Sequence, residues 1–324
     1  MCTAVSFKTA DHYFGRNLDL YYHYDERVCV TPRRFPLLFR ALPPLTRHHA
    51  MIGMATLIDG TPLYYEATNE KGVSAAGLNF PTNAVYHPLQ ENKINVAPFE
   101  LIPWLLGQFE TVAQVQQAAK ELNIADLSFS EQLPATPLHW LVSDSTQSIV
   151  LESTADGLHL YENPTHVLTN NPPFGLQMFA LNNYAHLSPK SPSHAFSDAL
   201  QQQNYSLGLG ALGLPGDLSS QSRFVRAAFV RLHASCGSSE EESVSQFFHI
   251  LGSVAQQKGC VLAEADHYEY TLYSSCCNTT RGIYYYTTYN NSCPHAVDMH
   301  REDLEGCVPV GYPLALHTTV VFQN

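Results

Sequence analysis

The sequence has few charged residues, and basic ones are the scarcer kind. Charged side chains make up 14% of the 324 residues, with 17 Lys and Arg against 29 Asp and Glu, and the formal net charge is −12 at pH 7. Proteins that bind nucleic acid need clustered Lys and Arg to neutralise phosphates. The composition therefore excludes nucleic acid as an expected partner. With 45% hydrophobic residues, the chain is still typical of a folded globular protein.

Long apolar segments are also missing. The sequence lacks the positively charged start and apolar stretch of a secretory signal, and its longest apolar runs are far shorter than a membrane span. These features predict a cytoplasmic protein that does not insert into a membrane. Its eight cysteines form no CxxC pair, so we expect reduced thiols and no metal site.

The most informative stretch is residues 1–19, where Met1 precedes Cys2. Methionine aminopeptidase removes an initiator Met when the next side chain is small, so Cys2 is expected to carry a free α-amino group. The reference pKa values of an α-amino group and a thiol are about 8 and about 8.5, which lets the amine take the thiol proton near neutral pH. One residue would then supply both nucleophile and base.

Two strand-like stretches flank a polar turn at residues 9–11 and predict a hairpin. This hairpin would return Arg16 and Asp19 to the side of Cys2. There the guanidinium of Arg16 would stabilise a thiolate, and the carboxylate of Asp19 would orient the terminal amine.

The remaining elements alternate between strands and helix pairs. Strands are predicted at 27–31, 51–58, 62–67 and 72–79, helices at 98–108 and from Thr111 to about Leu122, strands within 138–162, helices at 222–234 and from Ser239, and final strands at 268–275 and 282–288. This order predicts a layered α/β/β/α sandwich or two α+β domains. The irregular stretch at about 181–216 is predicted to be a functional loop or an assembly arm.

Seven groups of residues identify a family. They are Cys2-Thr3-Ala4, Gly15-Arg16-Asn17-Leu18-Asp19, Asn69-Glu70-Lys71-Gly72, Gly77-Leu78-Asn79-Phe80-Pro81, Leu138-His139-Trp140, Leu168-Thr169-Asn170-Asn171-Pro172, and Gly213-Leu214-Pro215-Gly216-Asp217 with Ser222-Arg223-Phe224. Together they resemble the choloylglycine hydrolases, which are bile salt hydrolases of gut bacteria. These are relatives of the penicillin V acylases among the N-terminal nucleophile hydrolases.

The resemblance implies one α+β domain over residues 1–324, a four-layer αββα sandwich. It implies cleavage of glycine- or taurine-conjugated bile acids through a cysteinyl thioester, without metal or cofactor. The arm at about 181–216 matches the region that the family uses for assembly, which implies a homotetramer. Penicillin V acylase activity and a non-catalytic bile acid binder are the alternatives.

The resemblance also assigns residues. The catalytic set that it implies is Cys2, Arg16, Asp19, Asn79, Asn170 and Arg223, with the two asparagines at the oxyanion hole and the substrate amide. The apolar positions that it implies for substrate binding are Leu18, Ile58, Tyr65, Phe129, Leu133 and Leu138. His139 is the best candidate for a Cys–His dyad, but Cys2 already carries its own base, so we predict a structural role for His139.

Overall fold

The computed structural model describes residues 1–318 and 320–324. Its strands are β1 (Cys2–Lys8), β2 (His12–Leu20), β3 (Arg27–Thr31), β4 (Met51–Ile58), β5 (Thr61–Asn69), β6 (Ser74–Asn79), β7 (Ile94–Val96), β8 (Leu122–Ile124), β9 (Leu138–Ser143), β10 (Ser148–Thr154), β11 (Gly157–Glu162), β12 (Val167–Leu168), β13 (Val261–Glu264), β14 (His267–Asn278), β15 (Ile283–Thr288), β16 (Asn291–Asp298) and β17 (Val310–Pro313). The α-helices are α1 (Leu101–Gln108), α2 (Val112–Ala119), α3 (Phe174–Ala180), α4 (Ser220–His233) and α5 (Glu240–Gly252).

Two antiparallel sheets form the centre of the molecule. The first has the strand order β12-β1-β2-β14-β15-β16, with β13 added beside β14, and the second has the order β11-β10-β9-β6-β5-β4-β3-β17. A separate parallel pair joins β7 to β8.

Each sheet is covered by helices on its outer face. Helices α4 and α5 pack on β1, β2 and β14, and α1 packs on β5 and β6, while β1 and β2 face β5 and β6 across the middle. One hydrophobic core covers both faces of the first sheet, between the two sheets and beneath α4 and α5. A second core lies between the other sheet and the helices α1 and α2. The expected α+β sandwich of four layers is confirmed.

The hairpin of β1 and β2 is formed as predicted. Its register places Cys2 opposite Leu18, and Ala4 opposite Arg16. Cross-strand partners project from the same face of a sheet, so the Cys2 and Arg16 side chains both point toward the second sheet. Asn17 and Asp19 project from the other face, toward α4 and α5.

Gly15 lets β14 approach β2 closely beside Arg16. A β-carbon at Gly15 would lie 2.0 Å from the carbonyl oxygen of Ser275, so any side chain here would force the two strands apart. This approach places the Ser275 hydroxyl 3.1 Å from the backbone nitrogen of Arg16, which donates a hydrogen bond to it.

Helix α2 is shorter than predicted. The pattern from Thr111 predicts a helix to about Leu122, but α2 ends at Ala119, and Leu122–Ile124 pairs with Ile94–Val96. Tertiary pairing with a distant strand overrides helix propensity there. Three further elements were not predicted from the sequence: α3, a seven-residue helix, and the late strands β16 and β17.

The stretch at 181–216 has little regular structure. It contains only two short 3-10 turns, at Leu181–Tyr184 and Leu209–Ala211. Its exposed large apolar side chains are Phe196, Leu200, Tyr205, Leu207 and Leu212.

Candidate active site

Cys2 lies at the start of β1 and is almost fully buried, at 4% exposure. Met1 precedes it, so the Cys2 nitrogen is an amide here, and it donates a hydrogen bond to Oδ1 of Asn170 at 2.8 Å. An amide nitrogen has no available lone pair for a proton. In the Met1-bearing form, the Cys2 nitrogen therefore cannot act as the base expected for the Cys2 thiol.

The Met1 amine is itself bound. It donates to the backbone oxygen of Asp19 at 2.7 Å and pairs with the carboxylate of Glu269 on β14. Burial raises the pKa of Glu269, and the Met1 amine opposes that rise. Glu269 was missed in the sequence because no motif marks it, and only the pairing of β14 with β2 brings it here.

Arg16 lies between the sheets with its guanidinium fixed by two carbonyl groups. Its Nη1 donates to the oxygens of Gly77 at 2.6 Å and Tyr65 at 3.1 Å. Burial alone would lower the pKa of Arg16, but the neighbouring Cys2 and other acidic groups raise it above its ordinary value. The buried Nη2 has no hydrogen-bond partner among the described residues, so it is available to a thiolate or a substrate.

Glu66 balances the charge of Arg16. Its carboxylate lies 3.8 Å from Nε of Arg16 and accepts hydrogen bonds from Tyr273 at 2.8 Å, Ser275 at 3.0 Å and Tyr284. Burial raises the pKa of Glu66, opposed by the Arg16 charge and these hydrogen bonds. Sequence reasoning missed Glu66 because a lone carboxylate in a strand pattern gives no signal.

Asp19 is fully buried on the helix side of the first sheet. Thr271 on β14 donates to its Oδ1 at 2.6 Å, while Oδ2 lies 3.9 Å from Nη1 of Arg223 and has no hydrogen-bond partner among the described residues. Burial raises the pKa of Asp19, and the Arg223 charge, the Met1 amine and the Thr271 hydroxyl oppose that rise. The unpaired Oδ2 can accept a further N–H.

Arg223 ties α4 to the start of the chain. Its Nη1 donates to the Cys2 backbone oxygen and to the Thr3 hydroxyl, both at 2.6 Å, and its Nη2 donates to Oδ1 of Asn170 at 2.8 Å. Burial lowers the pKa of Arg223, opposed by the charges of Asp19 and Cys2. Asp217, in the turn before α4, accepts hydrogen bonds from Ser219 and Ser222. These bonds fix the start of α4 and so orient the Arg223 side chain.

Asn170 joins three parts of the site. Its Oδ1 accepts from Cys2 and Arg223, and its Nδ2 donates to the backbone oxygen of Asn79 at 2.7 Å. An amide nitrogen has two hydrogens, so one N–H of Asn170 remains for another acceptor. The Asn79 side chain is exposed at the end of β6 and makes no hydrogen bond within the described part of the chain.

The six apolar positions lie on β2, β4, β5, β9 and the segment between β8 and β9. Leu18 is buried opposite Cys2, and Tyr65 is half-buried, with its hydroxyl 2.9 Å from that of Thr56. Phe129 packs edge-on against Phe99, 5.3 Å between ring centres, in a cavity of about 520 Å³. Ile58, Leu133 and Leu138 are each half-buried.

One surface cavity lies away from these residues. It has a volume of about 860 Å³, lies between α2 and β11, and is lined by none of the six polar residues. Over residues 1–318 and 320–324, no group of three or more His, Cys, Asp or Glu side chains is arranged to hold a metal ion. Within the same ranges, every helix is too short or too polar to cross a membrane.

The comparison with known families agrees with this geometry. The profile of the family described as linear amide C-N hydrolases, choloylglycine hydrolase family, matches residues 2–312. The chain belongs to this family. It is therefore an enzyme that hydrolyses linear amide C–N bonds, and the resemblance drawn from the sequence motifs is confirmed.

Relatives within the choloylglycine hydrolase family are similar over nearly the whole chain. A bile salt hydrolase/transferase from Lactiplantibacillus plantarum is 52% identical over 97% of both chains, and one from Clostridium perfringens is 38% identical over 94% of both. The crystal structure of a mutant conjugated bile acid hydrolase from Clostridium perfringens superposes with a TM-score of 0.92, at 35% identity and 100% coverage of both chains. A penicillin V acylase from Agrobacterium tumefaciens, at 18% identity and a TM-score of 0.75 over 98% and 94% of the two chains, shares the fold.

Proposed function

We propose that this enzyme cleaves the amide bond of glycine- or taurine-conjugated bile acids through a thioester on Cys2. The observation that carries the proposal is the convergence of four polar side chains on one buried cysteine. Asn170 and Arg223 hydrogen-bond to Cys2, Arg16 lies against it on the same sheet face, and Asp19 has an unpaired oxygen beside Arg223. Relatives named as bile salt hydrolases at up to 52% identity support the substrate class.

The first step needs the free amine of Cys2. After removal of Met1, the Cys2 nitrogen can donate to Oδ1 of Asn170 and to the unpaired Oδ2 of Asp19, which leaves its lone pair to take the thiol proton. The positive charge of Arg16 stabilises the resulting thiolate. The thiolate then attacks the substrate carbonyl carbon and forms the C–S bond.

The carbonyl oxygen becomes negative in that step and needs hydrogen-bond donors. The free N–H of Asn170 and the exposed amide of Asn79 are the two donors proposed for it, and neither group titrates. The ammonium group of Cys2 then gives its proton to the leaving nitrogen as the C–N bond breaks. Water hydrolyses the thioester, with the Cys2 amine again acting as base.

Substrate attraction must be short-range. A protein with net charge −12 gains no long-range electrostatic attraction for an anionic conjugate. We therefore assign binding to apolar contacts with the steroid, and keep Leu18, Ile58, Tyr65, Phe129, Leu133 and Leu138 as proposed contacts.

The deciding experiment is an assay of free glycine and taurine released from glycocholate and taurocholate by Met1-free protein under reducing conditions. Penicillin V is assayed in parallel, and a Cys2→Ala variant is the control. We expect faster cleavage of the bile salts by the wild-type protein alone. Faster cleavage of penicillin V would move the protein to the acylase activity, and binding without any cleavage would favour the non-catalytic alternative.

We further propose that residues 1–324 act as one hydrolase domain within a cytoplasmic homotetramer that binds no nucleic acid. Support for assembly comes from the exposed apolar side chains of the 181–216 arm, since patches of this kind mark interaction surfaces. The negative net charge supports the absence of nucleic acid.

A further inference from the structure

We propose that His139 and Glu152 are positioning residues that hold Asn170 and Asn79 at the distance required to bind the oxyanion. This inference rests on the proposed function, because it takes these two asparagines as the oxyanion donors. Both side chains are fully buried, and among the described residues neither forms a hydrogen bond to Cys2. Their effect on the reaction would therefore be indirect.

One nitrogen of His139 holds the residue before Asn170. Nε2 lies 2.8 Å from the backbone oxygen of Thr169. A carbonyl oxygen can only accept, so Nε2 must carry a hydrogen and donate it. This bond joins β9 to Thr169, which follows β12 and precedes Asn170. It therefore fixes the position of the backbone next to Asn170.

The other nitrogen of His139 acts through Glu152. Nδ1 lies 2.9 Å from Oε1 of Glu152, and the same oxygen accepts the backbone N–H of Phe174 at 2.9 Å. The bond between Nδ1 and the carboxyl group needs a second proton, on either the ring or the carboxyl. His139 and Glu152 thus form hydrogen bonds to the backbone on both sides of Asn170, at Thr169 and at Phe174.

The ring face of His139 holds the other asparagine. Phe80, the residue after Asn79, stacks on the imidazole with ring centres 4.3 Å apart and planes 6° from parallel. Leu78 pairs directly with His139 across β6 and β9. One side chain therefore contacts the immediate neighbours of both asparagines, and a shift of the ring would change the separation between them.

The test compares His139→Gln with His139→Asn. A glutamine amide nitrogen reaches the place of Nε2 and can keep the bond to Thr169, whereas an asparagine reaches only the place of Nδ1. We measure kcat and KM with glycocholate, the alkylation rate of Cys2 by iodoacetamide, and Tm. We expect His139→Asn to lose about tenfold to a hundredfold in kcat with KM and alkylation rate within about twofold of wild type, and His139→Gln to lose less.

A purely structural role predicts a different pattern. Equal kcat per folded molecule in the two variants, or losses that follow the alkylation rate of Cys2, would overturn the proposal. If neither variant folds, Glu152→Gln serves in their place, and an unchanged kcat in that variant would equally overturn it. If the wild-type enzyme cleaves only penicillin V, the His139 variants are compared with that substrate. The test of this proposal therefore does not depend on the bile salt assignment.

Discussion

At the scale of single residues, four buried charged side chains lie around the candidate active site. Arg16, Asp19, Glu66 and Arg223 are all essentially inaccessible to solvent, two positive and two negative. A buried charge without a partner typically costs about 3–5 kcal/mol, so each of these side chains constrains the others. These four charges cancel, so a thiolate beside Arg16 would be balanced by the ammonium group that the Cys2 amine becomes when it takes the thiol proton.

Retention of Met1 is expected to abolish turnover. The Cys2 nitrogen is then an amide bound to Asn170, and the Met1 amine is held by Asp19 and Glu269, so no base is available for the thiol. The measurement is glycine release from glycocholate by a form whose Met1 has been verified by mass spectrometry, compared with processed protein. Turnover by the verified Met1-bearing form would refute the terminal amine as base.

Substitution of Arg223→Lys is expected to reduce kcat by about tenfold to a hundredfold. The three N–H donors of lysine share a single nitrogen, whereas Arg223 uses Nη1 for the Cys2 oxygen and Thr3 and Nη2 for Asn170. Lysine cannot match this spacing, so the start of β1 would shift. Arg226→Lys is the matched control, because Arg226 lies on the same helix and binds the carbonyl groups of Ser253 and Pro215, away from Cys2. Similar losses in both variants would show that α4 needs arginine for packing alone.

At the scale of elements, helix α5 depends on a local cap. The Ser239 hydroxyl accepts the backbone N–H of Glu242 at 3.2 Å, and the Glu242 carboxylate accepts the N–H of Ser239 at 3.3 Å. This reciprocal capping box satisfies two N–H groups that the helix would otherwise leave free. The packing of α5 over β2 and β14 begins at this cap.

Ser239→Ala is therefore expected to lower the free energy of unfolding by about 1 kcal/mol. Ser245→Ala is the matched control, because Ser245 is exposed in the middle of α5 and caps nothing. Urea unfolding of the two variants checks the expectation. Equal stability of both would mean that the cap has no energetic weight in the intact protein.

His12 on β2 links β1 to the residue that follows β14, and it makes stability depend on pH. Its ring nitrogens lie 2.9 Å from the hydroxyl of Ser6 on β1 and 2.7 Å from that of Thr279. Burial lowers the pKa of His12 to about 4 from its ordinary 6.5. The unfolded chain therefore binds more protons than the folded one between these values, and stability falls as the pH falls.

The expected loss from His12 is up to about 3 kcal/mol between pH 7 and pH 4. The measurement is the free energy of unfolding in urea at several pH values, for wild type and for His12→Gln, which cannot titrate. Below pH 6.5, the free energy of unfolding of the variant should change less with pH than that of wild type, whatever the absolute stability of the variant. His166, whose pKa burial also lowers to about 4, is unchanged in that variant and keeps part of the slope. Identical slopes would show that His12 does not titrate with folding.

At the scale of the whole molecule, the 181–216 arm is the surface proposed for assembly. Phe196 and Leu207 are 81% and 93% exposed there. Exposed apolar patches of this kind mark interaction surfaces, because contact with water is unfavourable for large apolar side chains. Burial of such side chains against other copies would contribute about 2 kcal/mol each. An acidic protein must overcome repulsion between copies, so apolar contact has to dominate.

If the enzyme forms the proposed tetramer, a Phe196→Ser, Leu207→Ser double variant is expected to shift it to smaller species. Val308→Ser is the control, an exposed apolar residue outside the arm, at 69% exposure. Light scattering after size-exclusion chromatography gives the mass of each. A monomeric wild type, or a double variant that stays tetrameric, would count against the arm as the assembly surface.

The sequence by itself determined the family, the order of layers and the first hairpin. Motifs from Cys2 to Arg223 are local strings of residues, so they can be read without knowing the fold. The hairpin of β1 and β2 depends on alternation and a short turn, which are also local. The start of a helix at Ser239 was predicted for the same reason, and Ser239 is the N-cap of α5.

Only the tertiary structure decided which side chains meet at Cys2. Glu66, Glu269 and Thr271 reach the site through pairings between strands distant in sequence, and such pairings leave no trace in a single sequence. The end of α2 was misplaced because Leu122–Ile124 gains more by pairing with β7 than by continuing the helix. Local propensity amounts to tenths of a kcal/mol per residue, and burial and pairing across the fold outweigh it.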